Sequence, residues 1–210
     1  MNGNGEKDPI VLVADKHMEF TLRGLLARRQ SFEIREIDFD ISTHLERDPG
    51  CYKKSEFFLR SFIKQYSFSM VFFDRKGCGE ENSDRTVLEN TVEGNLSRSG
   101  WKNRCAAIAL DPELEAWVWS DSPKVDDILG WKDRNPDLRS WLRKKYSLSE
   151  DDFKPPSPKE ALKEAIRMVN KQHSSALFRD LAESVSFKNC HDPSFVKFKA
   201  ILKKWFDANT

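Results

Sequence analysis

The chain has 210 residues, of which 33% are charged and 39% hydrophobic, and its formal net charge is +1. This length suits one α/β domain with an appended segment, or two small domains. A net charge this close to zero excludes a globally cationic surface that would drive nucleic-acid binding. The apolar runs are far shorter than the ~18 residues that a membrane-spanning helix requires, so we expect no membrane association.

The start of the chain and the cysteines indicate a cytoplasmic protein. Residues 1–8 (MNGNGEKD) are polar and acidic, whereas a secretion signal is basic and then apolar, so we expect a disordered tail and no signal peptide. The cysteines are widely spaced and form no C-x-x-C motif. This spacing favours free thiols in a reducing compartment over a zinc site or a disulfide scaffold.

Four strand patterns alternate with helix patterns along residues 9–121. The strands are predicted at Ile10–Val13, Phe32–Phe39, Phe68–Phe73 and Cys105–Leu110. Continuous apolar runs are typical of strands buried on both faces of a parallel sheet. The pattern therefore predicts an α/β domain with a mostly parallel four-stranded sheet flanked by helices. We expect the first, third and fourth strands to be parallel and adjacent or nearly so.

Turn and capping residues delimit the helices between these strands. Pro49-Gly50 is interpreted as a turn, and Ser83 and Gly100 are expected to cap the two ends of the helix before the fourth strand. Asp111-Pro112 is expected to start another helix. The helix after Pro49-Gly50 is expected to bury an aromatic-rich face, made of Phe57, Phe58, Phe62, Ile63 and Tyr66.

Residues 122–210 contain no convincing strand and are predicted to form a helical C-terminal extension, packed on the α/β domain or linked to it. Four capping residues precede a first-turn proline: Ser122-Pro123, Asn135-Pro136, Ser157-Pro158 and Asp192-Pro193. Ser157 and Glu160 also match a capping box. The segment SLSEDDFKPPSP is the predicted linker. The expected core or docking residues are Trp141, Leu142, Leu162, Ile166, Leu177, Phe178, Leu181, Phe198, Leu202, Trp205 and Phe206.

Acidic residues follow three of the predicted strands. They are Asp15 and Glu19 after the first strand, Asp74 at the end of the third, and Asp111, Glu113 and Glu115 after the fourth. The carboxyl ends of parallel strands meet at one edge of a sheet. Carboxylates gathered there can bind Mg²⁺, which binds phosphate and activates water. Acids after strands also cap helices, so a structural interpretation stays open for each of them.

Three segments resemble the Toprim-like proteins of bacterial defence islands, relatives of the overcoming-lysogenization-defect nucleases. They are VLVADKHMEFTLRGLL at 11–26, VFFDRKG at 71–77 and IALDPELEAWVWSD at 108–121. The segment SALFRDLAESVSFKNCHDPSFVKFKAILKKW at 175–205 resembles the C-terminal part of these proteins. The resemblance implies catalytic roles for Glu19, Asp74 and Glu115. It implies that the ligands of a Mg²⁺ ion include Glu19, Asp74, Glu115 and Asp121. Asp15 lies one position after the family's metal-binding residue and is a further candidate ligand because it follows the first strand.

Two positions depart from the family pattern. The metal-binding glutamate of the first strand falls at Ala14, and the second aspartate of the D-x-D motif falls at Lys76. The loss of two carboxylates weakens the attraction for a divalent cation, and a lysine beside Asp74 can neutralise it. The resemblance therefore implies a degenerate site. Glu80 and Glu81 lie in the same loop and are candidates to replace the lost acids.

The resemblance implies a component of a multiprotein anti-phage defence system, associated with methylation, in which the chain acts as adaptor or regulator beside other defence proteins. The alternative is an active Mg²⁺-dependent nuclease or phosphotransfer enzyme. A stand-alone nucleic-acid-binding module is a third class, which the net charge disfavours. Nucleic acid could still contact basic helices that carry Trp141 and Trp205, although solvated helix faces explain the same pattern. The basic residues are Arg139, Arg143, Lys144, Lys145, Lys197, Lys199, Lys203 and Lys204.

Two further motifs allow chemistry but have simpler explanations. The glycines of RKGCG at 75–79 could expose backbone N–H groups to a phosphate, although a flexible turn needs the same residues. Cys78 could act as a nucleophile if the fold brings His17 beside it. Cys190-His191 offers too few ligands for a zinc site.

Overall fold

The computed structural model describes residues 7–120, 122–149, 152 and 154–208. Within them, four strands form one sheet and nine helices surround it. The strands are β1 (Lys7–Val13), β2 (Asp40–Thr43), β3 (Tyr66–Asp74) and β4 (Cys105–Leu110). The helices are α1 (Lys16–Leu26), α2 (Arg29–Phe32), α3 (Arg47–Leu59), α4 (Arg85–Leu96), α5 (Pro123–Leu129), α6 (Leu138–Tyr146), α7 (Pro158–Met168), α8 (Ser175–Ser184) and α9 (Pro193–Phe206). None of the described helices is long and apolar enough to cross a membrane.

The sheet has the strand order β2-β1-β3-β4, and all its pairings are parallel. The predicted α/β class and the adjacency of the first, third and fourth strands are thus confirmed. The chain passes from β1 to β2 on one side and then to β3 on the other, so the strand order reverses between β1 and β3. Open α/β sheets bind ligands at such a switch point, beyond the carboxyl ends of the strands.

The C-terminal helices pack directly on the sheet and on α1. The ring of Phe198 in α9 lies 5.3 Å from that of Phe72 in β3, centroid to centroid. Helix α8 approaches α1 at Gly24, where a Cβ atom would lie 2.9 Å from the Cβ of Ala182. That distance is too short for any larger residue, so glycine at position 24 permits the close contact between the two helices.

The predicted second strand was wrong. Phe32 ends helix α2, and the strand that joins the sheet is β2, which begins after Phe39. The alternating apolar residues of this segment face α9 instead of a neighbouring strand. The Phe32 and Phe198 rings lie 5.7 Å apart, and Ile34 forms an isolated antiparallel bridge with Asp207. The apolar pattern therefore predicted the burial of Phe32 and Ile34 correctly but predicted the wrong secondary structure.

The predicted turn at Pro49-Gly50 lies inside the first turn of α3, where the missing N–H of proline costs no hydrogen bond. The buried face of the helix includes Cys51, Ser55 and Leu59, which follow one another at a spacing of four residues. Phe57, which was predicted to face inward, is 71% exposed.

Several helix boundaries also differ from the predictions. Asp84 is the N-cap residue of α4, and Gly100, with φ +118°, lies in a π-helical turn beyond its end. Asp111-Pro112 and Asn135-Pro136 are cis peptides and start no helix. The N-cap residue of α6 is Asp137. The other three capping pairs precede α5, α7 and α9 as predicted.

The predicted capping box and the bounds of the predicted tail and linker also differ from the structure. The side chain of Ser157 makes no capping hydrogen bond, and Glu160 pairs with Lys163 at 2.9 Å, so the capping box is absent from α7. Strand β1 starts at Lys7, inside the predicted tail, whose first six residues lie outside the described part of the chain. The same holds for residues 150, 151 and 153 of the predicted linker.

The outer edge of β4 is closed by carboxylates from α4. Glu93 accepts a hydrogen bond from the backbone N–H of Ala107 at 2.9 Å, and Glu89 accepts one from Ala109 at 3.0 Å. Both carboxylates also pair with Lys197 of α9, at 2.7 Å and 3.1 Å. Edge strands with free N–H groups invite pairing with other strands, so these two glutamates protect the sheet at this end.

Candidate functional site

Acidic side chains gather at the carboxyl edge of the sheet, beside the switch point between β1 and β3. Asp74 ends β3 and is 7% exposed. Glu113 and Glu115 follow β4 and are also buried, and Asp15 follows β1. Together with Asp48 of α3, these four residues form the acid cluster.

Asp48 and Asp74 are linked through the backbone. The backbone N–H of Asp74 donates to Oδ1 of Asp48 at 2.7 Å, and Oδ1 of Asp74 accepts from the backbone N–H of Leu114 at 2.8 Å. The start of α3 and the segment after β4 are thereby fixed to the end of β3. Asp48 is not among the acids predicted from the sequence, because its segment is interpreted there as a turn. An acid followed by a proline is also typical of the first turn of a helix, and that pattern points to Asp48.

Lys159, in the first turn of α7, brings a positive charge to the acid cluster. Burial lowers the pKa of its ammonium group, but the negative charges around it raise the pKa by more, so the pKa lies above its ordinary value. These charges belong to Glu115, Asp74, Glu113 and Asp15. The backbone N–H of Lys159 also donates to Oε1 of Glu113 at 3.1 Å. The C-terminal extension thus contributes a cation to the edge of the sheet.

Burial raises the pKa of Asp74 well above its ordinary value, and the charges of Asp48 and Glu115 raise it further, against the opposing charge of Lys159. Burial likewise raises the pKa of Glu115 and of Asp48. Oε2 of Glu115 is buried and has no hydrogen-bond partner among the described residues. Burying an unpaired polar atom is costly, and acids with raised pKa values are typical of functional sites.

Glu19 has a different environment. Its carboxylate pairs with Lys16 at 2.6 Å and with Arg23 at 3.0 Å, and Thr43 of β2 donates to it at 3.4 Å. Burial raises the pKa of Glu19, but its hydrogen bonds to Lys16 and Arg23 outweigh this effect and lower it. The partners of Glu19 therefore lie on α1 and β2, whereas Asp74 and Glu115 share Lys159 of α7.

The other acids expected from the sequence have structural contacts or lie outside the described residues. Oδ1 of Asp15 caps α1 by accepting from the N–H of Met18 at 3.0 Å, while its charge also acts on Lys159. Asp111 is exposed and pairs with Arg75 at 2.8 Å. Asp121 lies outside the described residues.

The sequence suggested that Lys76 lies beside Asp74, but the lysine whose charge acts on the acid cluster is Lys159. The side chain of Lys76 is exposed, and its charge lowers the pKa of Glu160. Ala14 is buried and offers no ligand atom. Glu81 accepts from the N–H groups of Gly77 and Gly79, at 3.0 Å and 3.2 Å, so these donors of the proposed phosphate loop are already paired.

No family model, no curated protein and no solved structure matches this chain. The interpretation of the site therefore rests on its own chemistry. Within the described part of the chain, no group of three or more His, Cys, Asp or Glu side chains is arranged to hold a metal ion. What the arrangement offers is a set of buried carboxyl groups with raised pKa values around a half-buried ammonium group.

The ring of His17 stacks on Phe178 with centroids 4.6 Å apart and meets His173 edge-on at 4.8 Å. Burial lowers the pKa of His17 and raises that of the Cys78 thiol. A nucleophilic cysteine requires a lowered pKa, so the environment of Cys78 favours a structural role.

Several residues of the two basic clusters form ion pairs within the protein. Lys197 pairs with two buried or half-buried glutamates, Lys203 pairs with Glu33, and Lys145 pairs with Glu164. The ring of Trp205 stacks on Phe68 at 4.5 Å, and Trp141 lies 5.2 Å from Trp131. Packing within the fold therefore accounts for both tryptophans that were considered for base stacking.

Proposed function

We propose that this protein is a cytoplasmic component of a multiprotein bacterial anti-phage defence system, associated with methylation, in which a degenerate Toprim-like domain acts as adaptor or regulator. The resemblance of three sequence segments and of the C-terminal part supports the defence role. The observation that carries the adaptor role is the position of Lys159, whose ammonium group supplies positive charge to the acids at the carboxyl edge of the sheet.

The chemistry of the site argues against a tightly held divalent cation. Mg²⁺ requires several oxygen ligands in octahedral geometry, and its carboxylate ligands must be ionised. The raised pKa values of Asp74 and Glu115 favour their protonated forms. Glu19 is already paired with Lys16 and Arg23. The charge of Lys159 also acts on Asp15 and Glu113, so these residues do not fit a Mg²⁺ site.

One observation favours the alternative, an active Mg²⁺-dependent nuclease or phosphotransfer enzyme. Glu115 is 2% exposed with one unpaired carboxylate oxygen, and its charge acts on Asp74, which is also buried. Coupled carboxyl groups with displaced pKa values carry out acid–base chemistry in many enzymes. Such an enzyme would lose its function when either group is replaced by an amide.

A phage-plating assay separates the two proposals. The chain is expressed with its neighbouring defence genes, and Asp74→Asn and Glu115→Gln are compared with the wild type. An adaptor should retain its protection in both variants, whereas an enzyme should lose it. Asp111→Asn, an exposed acid at the same edge, is the matched control. Loss of protection by folded Asp74→Asn, with the control unaffected, would overturn the adaptor role, and a locus that gives no protection would overturn the defence role.

Replacement of Lys159 by methionine should leave the protein without a response to divalent cations, because loss of the ammonium group raises the pKa values of Asp74 and Glu115 further. We expect added Mg²⁺ or Mn²⁺ to leave the melting temperature of the wild type and of Lys159→Met unchanged, whereas metal bound to the folded state would raise it by about 2–4 °C. Lys76→Met is the matched control, because its side chain is exposed. A rise in the melting temperature of the wild type, or of Lys159→Met but not of Lys76→Met, would show that the acid cluster binds a metal and would favour the enzyme.

A further inference from the structure

An apolar cavity of about 50 Å³ lies between the α/β domain and the C-terminal helices. Its walls include Leu25 of α1, Trp117 after β4, Phe178 and Leu181 of α8, and Phe187 of the segment before α9. No residue of the acid cluster lines it. A group the size of a water molecule needs about 10–15 Å³ of such volume, so this space suits an aliphatic group of three or four carbons.

A larger polar cavity of about 590 Å³ adjoins the apolar one. Ser120, Ser186 and Cys190 line both cavities and so mark their junction. The rest of the polar cavity includes the uncharged side chains of Ser122 and Asn189. A molecule that spans the junction would therefore place an apolar group on one side and a polar group on the other.

The charged groups of the polar cavity are mostly compensated. Asp192 pairs with Lys154 at 2.5 Å and accepts from the backbone N–H groups of Ser194 and Phe195, at 3.0 Å and 3.3 Å. Asp152, the other acid in the lining, is exposed to solvent. Among the described residues, the inner lining of the cavity thus offers hydrogen-bonding groups without an unpaired buried charge, which favours an uncharged polar group over an ion.

Ser120 has an unsatisfied side chain at the junction. Its hydroxyl is buried and has no hydrogen-bond partner among the residues that the structure describes. Leaving a buried hydroxyl unpaired destabilises the folded state, and a ligand that pairs with it would recover that loss. The junction therefore combines an apolar cavity, a polar cavity and an unused hydrogen-bonding group.

We propose that the two cavities form a binding site for a small amphipathic molecule. A branched aliphatic group of three or four carbons fills the apolar cavity, and an uncharged hydroxyl or amide group lies at the junction, where it pairs with Ser120. This site is separate from the acid cluster and does not depend on the proposed defence role.

Three probes with similar branched groups and different polar groups test this proposal: isobutanol, isobutyrate and isobutylammonium. Binding is followed by NMR of methyl-labelled protein. We expect isobutanol to shift the methyl signals of Leu25, Leu181 and Val185 saturably, in the millimolar range that its size allows. The two charged probes should bind at least about tenfold more weakly, because their charges must be desolvated.

Two pairs of variants test the contacts. Ser120→Ala should weaken isobutanol binding about 2–10-fold and leave xenon binding unchanged, since xenon needs only the apolar cavity. Ser122→Ala, in the polar cavity alone, is its control. Val185→Phe should fill the apolar cavity and abolish binding of both probes, whereas Val196→Phe, at a position that is 51% exposed, should not.

Competition between xenon and isobutanol in the wild type provides a test that does not depend on any variant. The proposal requires xenon to displace isobutanol from the same methyl groups. Isobutanol that shifts no methyl signal of the cavity, or that binds Ser120→Ala and the wild type equally well, would overturn it. Stronger binding of isobutylammonium or isobutyrate would overturn the assignment of an uncharged polar group.

Discussion

Replacement of Glu89 by alanine is expected to lower the free energy of unfolding by about 2–4 kcal/mol, because it removes the ion pairs and the hydrogen bond of a buried carboxylate. Glu89 is 2% exposed and pairs with Arg85 at 2.5 Å and with Lys197 at 3.1 Å. Its carboxylate also accepts the N–H of Ala109 at the outer edge of β4. The substitution therefore removes two ion pairs and leaves a strand N–H without its acceptor.

Chemical denaturation at neutral pH measures this loss. Glu89→Gln should cost about half as much, since the amide oxygen can still accept from Ala109 while the charge is lost. Glu36→Ala is the surface control: the side chain of Glu36 is 85% exposed and pairs with Arg29, so its removal should cost less than about 1 kcal/mol. A loss for Glu89→Ala as small as that of Glu36→Ala would show that β4 does not depend on this carboxylate.

The sequence predicted β3 and β4 well because burial on both faces leaves a continuous apolar run. Cys105–Leu110 was predicted with its exact bounds, and β3 was two residues short at the start and one at the end. β2 escaped detection because Asp40–Thr43 is a short, half-buried edge strand without such a run. The apolar residues of Phe32–Phe39 reflect contact with the C-terminal helix instead, which periodicity alone does not distinguish from strand pairing.

The site was predictable only as far as the sheet topology determines it. Asp15, Asp74 and Glu115 were expected at one edge because parallel strands end there, and each has electrostatic contact with Lys159. Lys159 itself belongs to α7 of the C-terminal extension, and Asp48 belongs to the start of α3. Their positions depend on how these helices pack on the sheet, which the spacing of residues along the chain does not report.

Glu19 shows the limit of an argument from position alone. It follows Asp15 by one helical turn, so the sequence placed both at the carboxyl edge of the sheet. The carboxylate is held by Lys16 and Arg23 of its own helix and by Thr43 of β2. Ion pairs at i,i+3 and i,i+4 spacing were visible in the sequence, and they provided a structural explanation for Glu19 that required no metal.

Replacement of Asp74 by asparagine is expected to stabilise the protein near neutral pH, on the order of 1–2 kcal/mol. Burial raises the pKa of Asp74 well above its ordinary value, so the folded state holds a proton that the unfolded state releases. Between the unfolded and the folded pKa, the wild type therefore loses stability as the pH rises. Asparagine cannot ionise, and its amide oxygen can still accept from the N–H of Leu114.

The advantage of Asp74→Asn should vanish well below the unfolded pKa of about 4, where Asp74 is protonated in both states, and should grow as the pH rises from there to the folded pKa. Denaturation curves measured between these limits test the expected sign, with the exposed Asp111→Asn as the control that should show little change. A variant less stable than the wild type at pH 7 would mean that Asp74 is ionised and stabilised by Lys159. The predicted gain would instead show that burial outweighs the charge of Lys159 and keeps Asp74 protonated in the folded state near neutral pH.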